Sequence, residues 1–299
     1  MVAAFLTTVF FCLSAITANR SVAQLGSNRA NFWRLLAAMG FLGAWAFVWG
    51  HGVGGAGFGW FLLSGIVGFG IGDIGVFHAL PRIGSRLTLL MTQCIAAPLA
   101  GMAEWLWMGT RPTALEMLLG ALILAGVAIA LLPEKAEQLP VAKRRLLIGL
   151  FCGLIAAAGQ GFGAVLSRKA YLVLAAAGEH TDGGTAAFQR VLGGLVVALF
   201  FYVLIKQPAP QLSAPASMRK RVGLVLANAL FGAVLGVSCY QLALATVPSA
   251  VVLAIVALTP IVAIPLTRWL EGEKPGWRSI CGGVIAVLAA SCLALMRSR

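Results

Sequence analysis

Long apolar stretches follow one another along almost the whole chain, separated by short groups of charged and polar residues. Most stretches are about 18–25 residues long, the length that a helix needs to cross the hydrocarbon core of a bilayer. They lack the alternation that barrel strands show, so the spanning elements should be helices. The pattern predicts an all-α membrane protein with ten transmembrane helices, at 2–19, 32–49, 58–80, 84–108, 113–132, 146–166, 185–205, 222–244, 249–269 and 277–296.

Features of the first five predicted helices return in the same order in the last five. The glycine pair of the third helix, for example, recurs in the eighth helix 164 positions later. A sustained order of this kind indicates an internal repeat. The matched features are Arg20 with Arg168, Phe32–Leu36 with Phe188–Leu192, Gly68 and Gly72 with Gly232 and Gly236, Gly84 with Pro248, and Pro98 with Pro260.

The repeat divides the chain into two predicted units. We expect five-helix repeats at 1–133 and 146–299, joined by a polar linker at 134–145. Because five is an odd number, the second repeat should enter the membrane from the side opposite to the first. Two inverted repeats are typical of secondary transporters, which bind their substrate near the bilayer midplane and move by alternating access.

Composition and charge narrow the choice of partners. Hydrophobic residues make up 60% of the chain and charged residues 10%, which excludes a soluble domain because the polar residues could not cover such a core. The net charge of +13 would suggest nucleic acid in a soluble protein. Here the cations lie in loops and at helix ends, where they meet lipid head groups. We therefore expect membrane lipid as a partner, no nucleic acid, and a cell membrane as the location, the inner membrane in bacteria.

Asp73 is the one acidic residue deep within a predicted helix. A carboxylate in hydrocarbon is costly, so it should face a cavity or a cationic partner. One interpretation is a structural ion pair with Arg34, Arg82 or Arg86, and the other is binding of substrate or protons. Its counterpart in the second repeat is Val237, so the predicted symmetry is broken at this position.

The sequence Gly70–Asp73 also matches the GxGD motif of intramembrane aspartyl proteases. Those enzymes need a second aspartate in another helix, because one carboxylate activates water while the other protonates the substrate. The only other aspartate is Asp182, which lies in a predicted loop. This argues against a protease, and no other catalytic motif or metal-ligand cluster is present in the sequence.

Four more polar residues are candidates for a cavity within the membrane, where they would contact a substrate or join two helices by a hydrogen bond. They are Gln93, Gln160, Tyr240 and Gln241.

Two further pairs suggest moving parts. Pro98 and Pro260 each remove a backbone hydrogen bond, so they are candidates for a kink or hinge. Arg34 and Arg190 occur at matching places near the start of a predicted helix, which puts them at opposite membrane faces as anchors or gates.

These features resemble the drug/metabolite transporter superfamily, in particular its ten-span EamA-type branch. The resemblance rests on Phe32–Leu36, Phe188–Leu192, the helices with Pro98 and Pro260, and the glycine-rich stretches that follow them. It implies a carrier of small metabolites or drugs, most simply an exporter. It also implies that helices 1, 3, 4, 6, 8 and 9 surround a central cavity, with helices 5 and 10 at the periphery.

Several alternatives stay open at this stage. A glutamate in the first helix couples protons in related four-span exporters, but this chain has no acid in its first or sixth helix, so coupling to protons or another ion is undecided. A channel, a scramblase or a non-transporting scaffold could use the same frame. We expect no enzyme activity, no cofactor and no metal, a small-molecule substrate, and a monomer or homodimer.

Overall fold

The structure is a computed structural model that describes residues 1–131, 143–205, 217–262 and 277–298. Within these residues the regular secondary structure is entirely helical. In this described part of the chain, ten helices follow the ten predicted stretches. They are α1 (Val2–Leu25), α2 (Ser27–Val48), α3 (Phe58–Gly84), α4 (Leu87–Met108), α5 (Ala114–Leu131), α6 (Lys143–Ala176), α7 (Gly183–Leu204), α8 (Met218–Thr246), α9 (Ser249–Val262) and α10 (Trp277–Ser298).

Seven of these helices are long and apolar enough to cross a bilayer, and α5, α9 and α10 contain shorter apolar stretches at Ala114–Ala130, Ser249–Val262 and Ile280–Leu293. Large hydrophobic side chains cover the outside of the bundle, as at Phe151, Leu199 and Leu288. In water such a surface would aggregate, whereas lipid is its natural solvent. Residues 134–142 of the predicted linker and the end of the predicted ninth helix lie outside the described residues.

The predicted boundaries are wrong at two places in the chain. The loop expected between the first two helices is reduced to Gly26, whose φ of 83° places it in a region that glycine adopts without strain. Consequently α2 begins at Ser27 rather than at 32. Likewise α6 begins at Lys143, inside the expected linker, and continues past its expected end to Ala176. Lys143–Arg145 therefore belong to a helix.

Both α3 and α8 contain a π-helical segment at the same place in the predicted repeat. The segments are Ile66–Gly72 and Ala229–Gly236, and each contains its helix's glycine pair. Asp73 and Val237 are the residues that directly follow them. π segments inside α-helices are rare and often occur at functional sites. Their recurrence therefore makes α3 and α8 candidates for lining a functional site.

The glycines of α3 bring that helix into backbone contact with α6. A methyl group added to Gly159 would lie 2.4 Å from Cα of Gly72, and one added to Gly163 would lie 3.2 Å from Cα of Gly68. Any larger residue would force the two helices apart. Packing through small residues is the usual way for helices to associate in lipid.

The glycines of α8 make the equivalent contact with α1, although they meet side chains there. A methyl group on Gly232 would lie 2.4 Å from Ser14 Oγ, and one on Gly236 would lie 2.7 Å from the ring of Phe11. Each half of the chain therefore packs its third helix against the first helix of the other half. The two halves, joined by these contacts, enclose a space between them.

Candidate substrate cavity

A cavity of about 170 Å³ lies between the two halves. Residues of α1, α3, α4, α6, α8 and α9 line it, together with one arginine each from α2 and α7, and no described residue of α5 or α10 takes part. The resemblance implied the same six helices. The polar lining residues are Ser14, Arg34, Asp73, Thr92, Gln93, Gln160, Arg190, Asn228, Tyr240 and Thr259.

Asp73 lies on this cavity and forms an ion pair with Arg34. The Nη2 atom of Arg34 donates a hydrogen bond to Oδ2 of Asp73. The same atom donates to Oδ1 of Asn31 at a distance of 2.9 Å. The side chains of Arg34 and Asp73 are 7% and 21% exposed. The structural pair that the sequence left open is therefore formed, with Arg34 as the partner. Because the carboxylate also lines the cavity, a role in transport stays a proposal.

Arg190 lies close to this pair. Its guanidinium group lies 5.0 Å from the ring centroid of Phe69, and that of Arg34 lies 5.8 Å from the same centroid. The prediction that the two arginines sit at opposite membrane faces is therefore wrong. Each arginine is seven residues after the first residue of its helix, Ser27 or Gly183. Because α2 starts earlier than predicted, the long side chains reach the centre of the bundle.

The four polar residues predicted for the cavity differ in their positions and hydrogen bonds. Gln93 and Gln160 both line the cavity, and Gln160 Nε2 donates to Gln93 Oε1 at 2.9 Å, which joins α4 to α6. Tyr240 lines the cavity with a buried hydroxyl that has no hydrogen-bond partner in the described part of the chain. Gln241 is fully buried but is not among the described lining residues, and neither atom of its amide has a described partner.

Sequence reasoning missed one polar pair, Ser14 and Asn228. Ser14 Oγ donates to Asn228 Oδ1 at 2.8 Å across the cavity wall, between α1 and α8. A signal for Asn228 was present, because it precedes Gly232 by four residues and so shares a helix face with it. Ser14 gave no such signal, since an isolated serine in an apolar helix commonly bonds its own backbone.

The two prolines also differ. α4 stays helical through Pro98, whose ring faces the outside of the bundle. α9 is interrupted at 257–258 and becomes helical again at 259, just before the buried Pro260. Proline cannot donate to the carbonyl four residues earlier. Thr259 Oγ1 donates to that carbonyl, of Val256, at 2.6 Å. The break is therefore stabilised at a residue that lines the cavity.

A second buried carboxylate, Glu104, lies outside the cavity. Its Oε2 atom accepts from the backbone nitrogen of Ser249 at 2.7 Å and from Ser249 Oγ. Its Oε1 atom lies 4.0 Å from Arg168 Nε. Arg168 in turn donates to the carbonyls of Leu244 and Ala245, at 2.9 and 2.7 Å. Glu104 and Arg168 therefore hold the turn between α8 and α9 to α4 and α6.

Asp182 caps the N-terminus of α7. Its Oδ1 atom accepts from the backbone nitrogens of Gly184 and Thr185 at 2.8 and 3.0 Å, and from Trp45 Nε1 at 2.8 Å. Burial raises the pKa of this carboxyl, but the hydrogen bonds from Thr185, Trp45 and Gly184 outweigh burial and leave the pKa below its ordinary value. Asp182 thus stabilises a helix end rather than pairing with Asp73.

Apolar helices that enclose a polar cavity between two interlocked halves are the form of a membrane transporter. The model of the EamA-like transporter family matches the chain twice, at residues 1–132 and 147–295. The chain therefore belongs to the EamA-like transporter family and is a multi-pass membrane transporter of the drug/metabolite type.

Similarity to individual proteins is more distant. No curated protein matches this chain. A solved structure, described only as the crystal structure of a protein, aligns with a TM-score of 0.75 at 14% identity and covers 99% of this chain and 97% of its own. At this identity the likeness concerns the fold alone.

Proposed function

We propose that the chain is a secondary transporter that carries a small metabolite or drug across a cell membrane by alternating access. The moving parts are two inverted five-helix repeats, 1–133 and 146–299, which rock about the central cavity. The observation that carries the proposal is this cavity, because it collects polar side chains from both halves in a bundle that is largely apolar.

The contacts between the halves support rocking. The α3 glycines contact α6 and the α8 glycines contact α1, so each half holds part of the other. Glycine has no side chain that would interlock with the neighbouring helix, so one helix can tilt on the other with little loss of packing. The interruption of α9 before Pro260 is the proposed hinge, since a broken helix bends at little cost.

The Arg34–Asp73 pair is the proposed coupling element. A buried ion pair is costly to break from one side, because the remaining charge is left without a partner. A substrate or proton that reaches Asp73 changes that balance, and the pair can then separate while the cavity changes the side to which it opens. Arg34 and Arg190 act as gates in this proposal, and Gln93, Gln160 and Tyr240 contact the substrate.

Metabolite profiling tests the function. Cells that produce the chain, cells that lack it, and cells that produce the Asp73→Asn variant at the same membrane level are compared for small molecules inside and outside. Export predicts that at least one compound is depleted inside and enriched outside with the native chain alone. Identical profiles with and without the chain would contradict a transport function, identical profiles of the native chain and the variant would contradict the role of Asp73, and the reverse gradient would contradict export.

Thiol labelling distinguishes a carrier from a channel. Ala15 lines the cavity, so an Ala15→Cys variant in a background without the six native cysteines reports access to it. A carrier exposes this cysteine to an impermeant reagent from one side at a time, and the labelled side should shift when transport is driven. Equal labelling from both sides, together with passive flux of small ions, would indicate a channel.

A further inference from the structure

The charges that line the cavity do not balance. Among its described lining residues the charged ones are Arg34, Asp73 and Arg190, two cations and one anion. Asp73 is paired with Arg34. Arg190 is 5% exposed and makes no hydrogen bond with any residue that the structure describes, and its Nε atom is buried without a partner. One positive charge therefore lies in the cavity without a bonded counter-ion among the described residues.

Aromatic rings offset only part of this charge. The guanidinium group of Arg190 lies 5.0 Å from the ring centroid of Phe69 and 5.9 Å from that of Tyr240. Such cation–π contacts stabilise the charge but satisfy none of its five N–H donors. A buried cation without acceptors is unfavourable, so a site of this kind favours an anion that supplies them.

The other groups without partners on the cavity wall point to the same ligand chemistry. Arg34 Nε and Asn228 Nδ2 are buried without acceptors in the described part of the chain, and so is the hydroxyl of Tyr240. The first two can only donate, and the tyrosine hydroxyl can also donate. Apart from that hydroxyl, which can also accept, no lining residue has a buried acceptor without a donor among the described residues. The missing group is therefore an acceptor.

The uncompensated charge of the cavity and the apolar character of its wall define the anion further. One uncompensated positive charge is neutralised by a monoanion, whereas a phosphate dianion would leave an excess negative charge in a low-dielectric site. The rest of the wall is largely apolar and aromatic, with Phe11, Phe69, Phe77 and Leu89 among its members. The one acidic group among the described lining residues, Asp73, is already paired with Arg34, and Gln93 Oε1 accepts from Gln160, so a cationic ligand would find no unpaired negative charge there.

On the basis of the transport function proposed above, we propose that the cavity binds a small monocarboxylate with an apolar body. Its carboxylate accepts hydrogen bonds from Arg190, with Tyr240 and Asn228 as further donors. Its apolar body contacts the phenylalanines of the wall. Arg190 is then the specificity-determining residue, whereas the charge of Arg34 is already paired with Asp73.

Ligand-dependent thermal unfolding of the purified full-length chain in detergent tests this inference. The probes are 3-phenylpropionate, its uncharged amide, phenylalanine and inorganic phosphate, at the same concentrations and pH 7. We expect 3-phenylpropionate to raise the Tm in a saturable way, with at least about tenfold weaker binding for each of the other three. Equal stabilisation by the amide would overturn the proposal, as would stronger stabilisation by phenylalanine or phosphate, or no stabilisation by any probe.

Variants locate the effect. Arg190→Gln should weaken binding of 3-phenylpropionate at least about tenfold, and Arg190→Lys should also weaken it because an ammonium group lacks the planar fork. Arg29→Gln is the matched control, since Arg29 is exposed on α2 and should leave binding unchanged. If Arg190→Gln does not fold, Tyr240→Phe serves in its place, with an expected several-fold loss. Native affinity in folded Arg190→Gln or in Tyr240→Phe would overturn the assignment.

Transport in proteoliposomes separates this inference from the function on which it rests. Saturable flux of a cationic or neutral compound with no binding of 3-phenylpropionate would remove the carboxylate site and keep the transporter. Binding of 3-phenylpropionate that depends on Arg190, without flux of any tested carboxylate, would keep the site and contradict transport. Arg190-dependent flux of a monocarboxylate would support both.

Discussion

The third and eighth helices show how two matching parts of one chain can share a backbone and differ in chemistry. Both α3 and α8 contain a π-helical segment with two glycines four residues apart, and both pack on the first helix of the other half. At the residue after the segment, however, α3 has Asp73 and α8 has Val237. The scaffold is therefore repeated, whereas the acidic group is present once.

The residues before the glycines support the same distinction. Ser64 Oγ donates to the carbonyl of Gly163 in α6 at 2.6 Å, and Asn228, at the matching place in α8, accepts from Ser14 in α1. Packing contacts must be made in both halves because each half needs a partner helix. A charged group is needed only once, because α3 and α8 face the same cavity. Four predictions test this difference, in order of decreasing effect.

Replacing the unique acid should have the largest effect. We expect Asp73→Asn to lower transport by about two orders of magnitude, because the proposed coupling needs the carboxylate, and to lower stability as well, because removal of one partner of a buried ion pair costs roughly 3–5 kcal/mol. Val237→Asn, which places the same amide at the matching position, should reduce transport by less than about tenfold. Flux in proteoliposomes, normalised to folded protein, measures both. Equal losses would mean that the two helices are equivalent in function.

A double variant separates stability from transport in that experiment. Asp73→Asn combined with Arg34→Gln removes both charges, so the thermal stability lost in the single variant should return in part. Transport should not return with it. Recovery of transport in the double variant would mean that the ion pair has only a structural role.

The turns that follow α3 and α8 also differ, and Glu104 should reveal this difference. The first turn uses Gly84 at a φ of 73°, whereas the second, at Pro248, is held by Glu104 through Ser249. Glu104→Ala should lower the free energy of unfolding by roughly 2–3 kcal/mol, because hydrogen bonds to a buried carboxylate are strong. Glu116→Ala, at a half-buried capping position on α5, should cost about 1 kcal/mol at most. Thermal unfolding in detergent measures both, and equal losses would contradict a structural role for Glu104.

Closer packing of α3 than of α8 predicts a further difference. Gly159→Ala places a methyl group against the backbone of Gly72, so we expect a loss of about 1–3 kcal/mol from overpacking. Gly232→Ala meets the Ser14 side chain, which can rotate, and should cost less. Gly223→Ala has free space around it and should be neutral or slightly stabilising. The three Tm values should increase in that order, and any other order would contradict the packing difference.

The smallest expected effect concerns the second helices of the two halves. α7 has Asp182 as its N-cap, whereas α2 begins after Gly26 without a side-chain cap. Asp182→Ala should cost about 1 kcal/mol. Because the pKa of Asp182 is lower in the folded protein than in the unfolded chain, its contribution is complete above about pH 4 and is lost as the pH falls through the lowered pKa. Unfolding of native chain and variant between pH 3 and pH 7 tests this, and an unchanged stability difference at pH 3 would contradict it.

Much of the fold could be predicted from the sequence, but the site only in part. The glycine pairs in α3 and α8 lie at close contacts between helices, as their spacing indicated. Asp73 could be singled out because an acidic side chain within an apolar helix is costly in lipid and must face a cavity or a cationic partner. Gln241 was expected beside Tyr240 in the cavity but is buried elsewhere. The extra residue of a π turn rotates the following helix by about 100°, which a regular helical period does not anticipate.

By itself, the sequence determined that this is a bundle of membrane helices, where the helices lie, and which pieces recur. These properties depend on apolar length and on local spacing, which a linear chain carries directly. Only the tertiary structure decided that Arg34 and Arg190 converge on one ring and that a single carboxylate faces two guanidinium groups. The charge of the cavity depends on which side chains of six helices face it and on the two arginines that reach it from α2 and α7. It is therefore set by how each helix is rotated and packed.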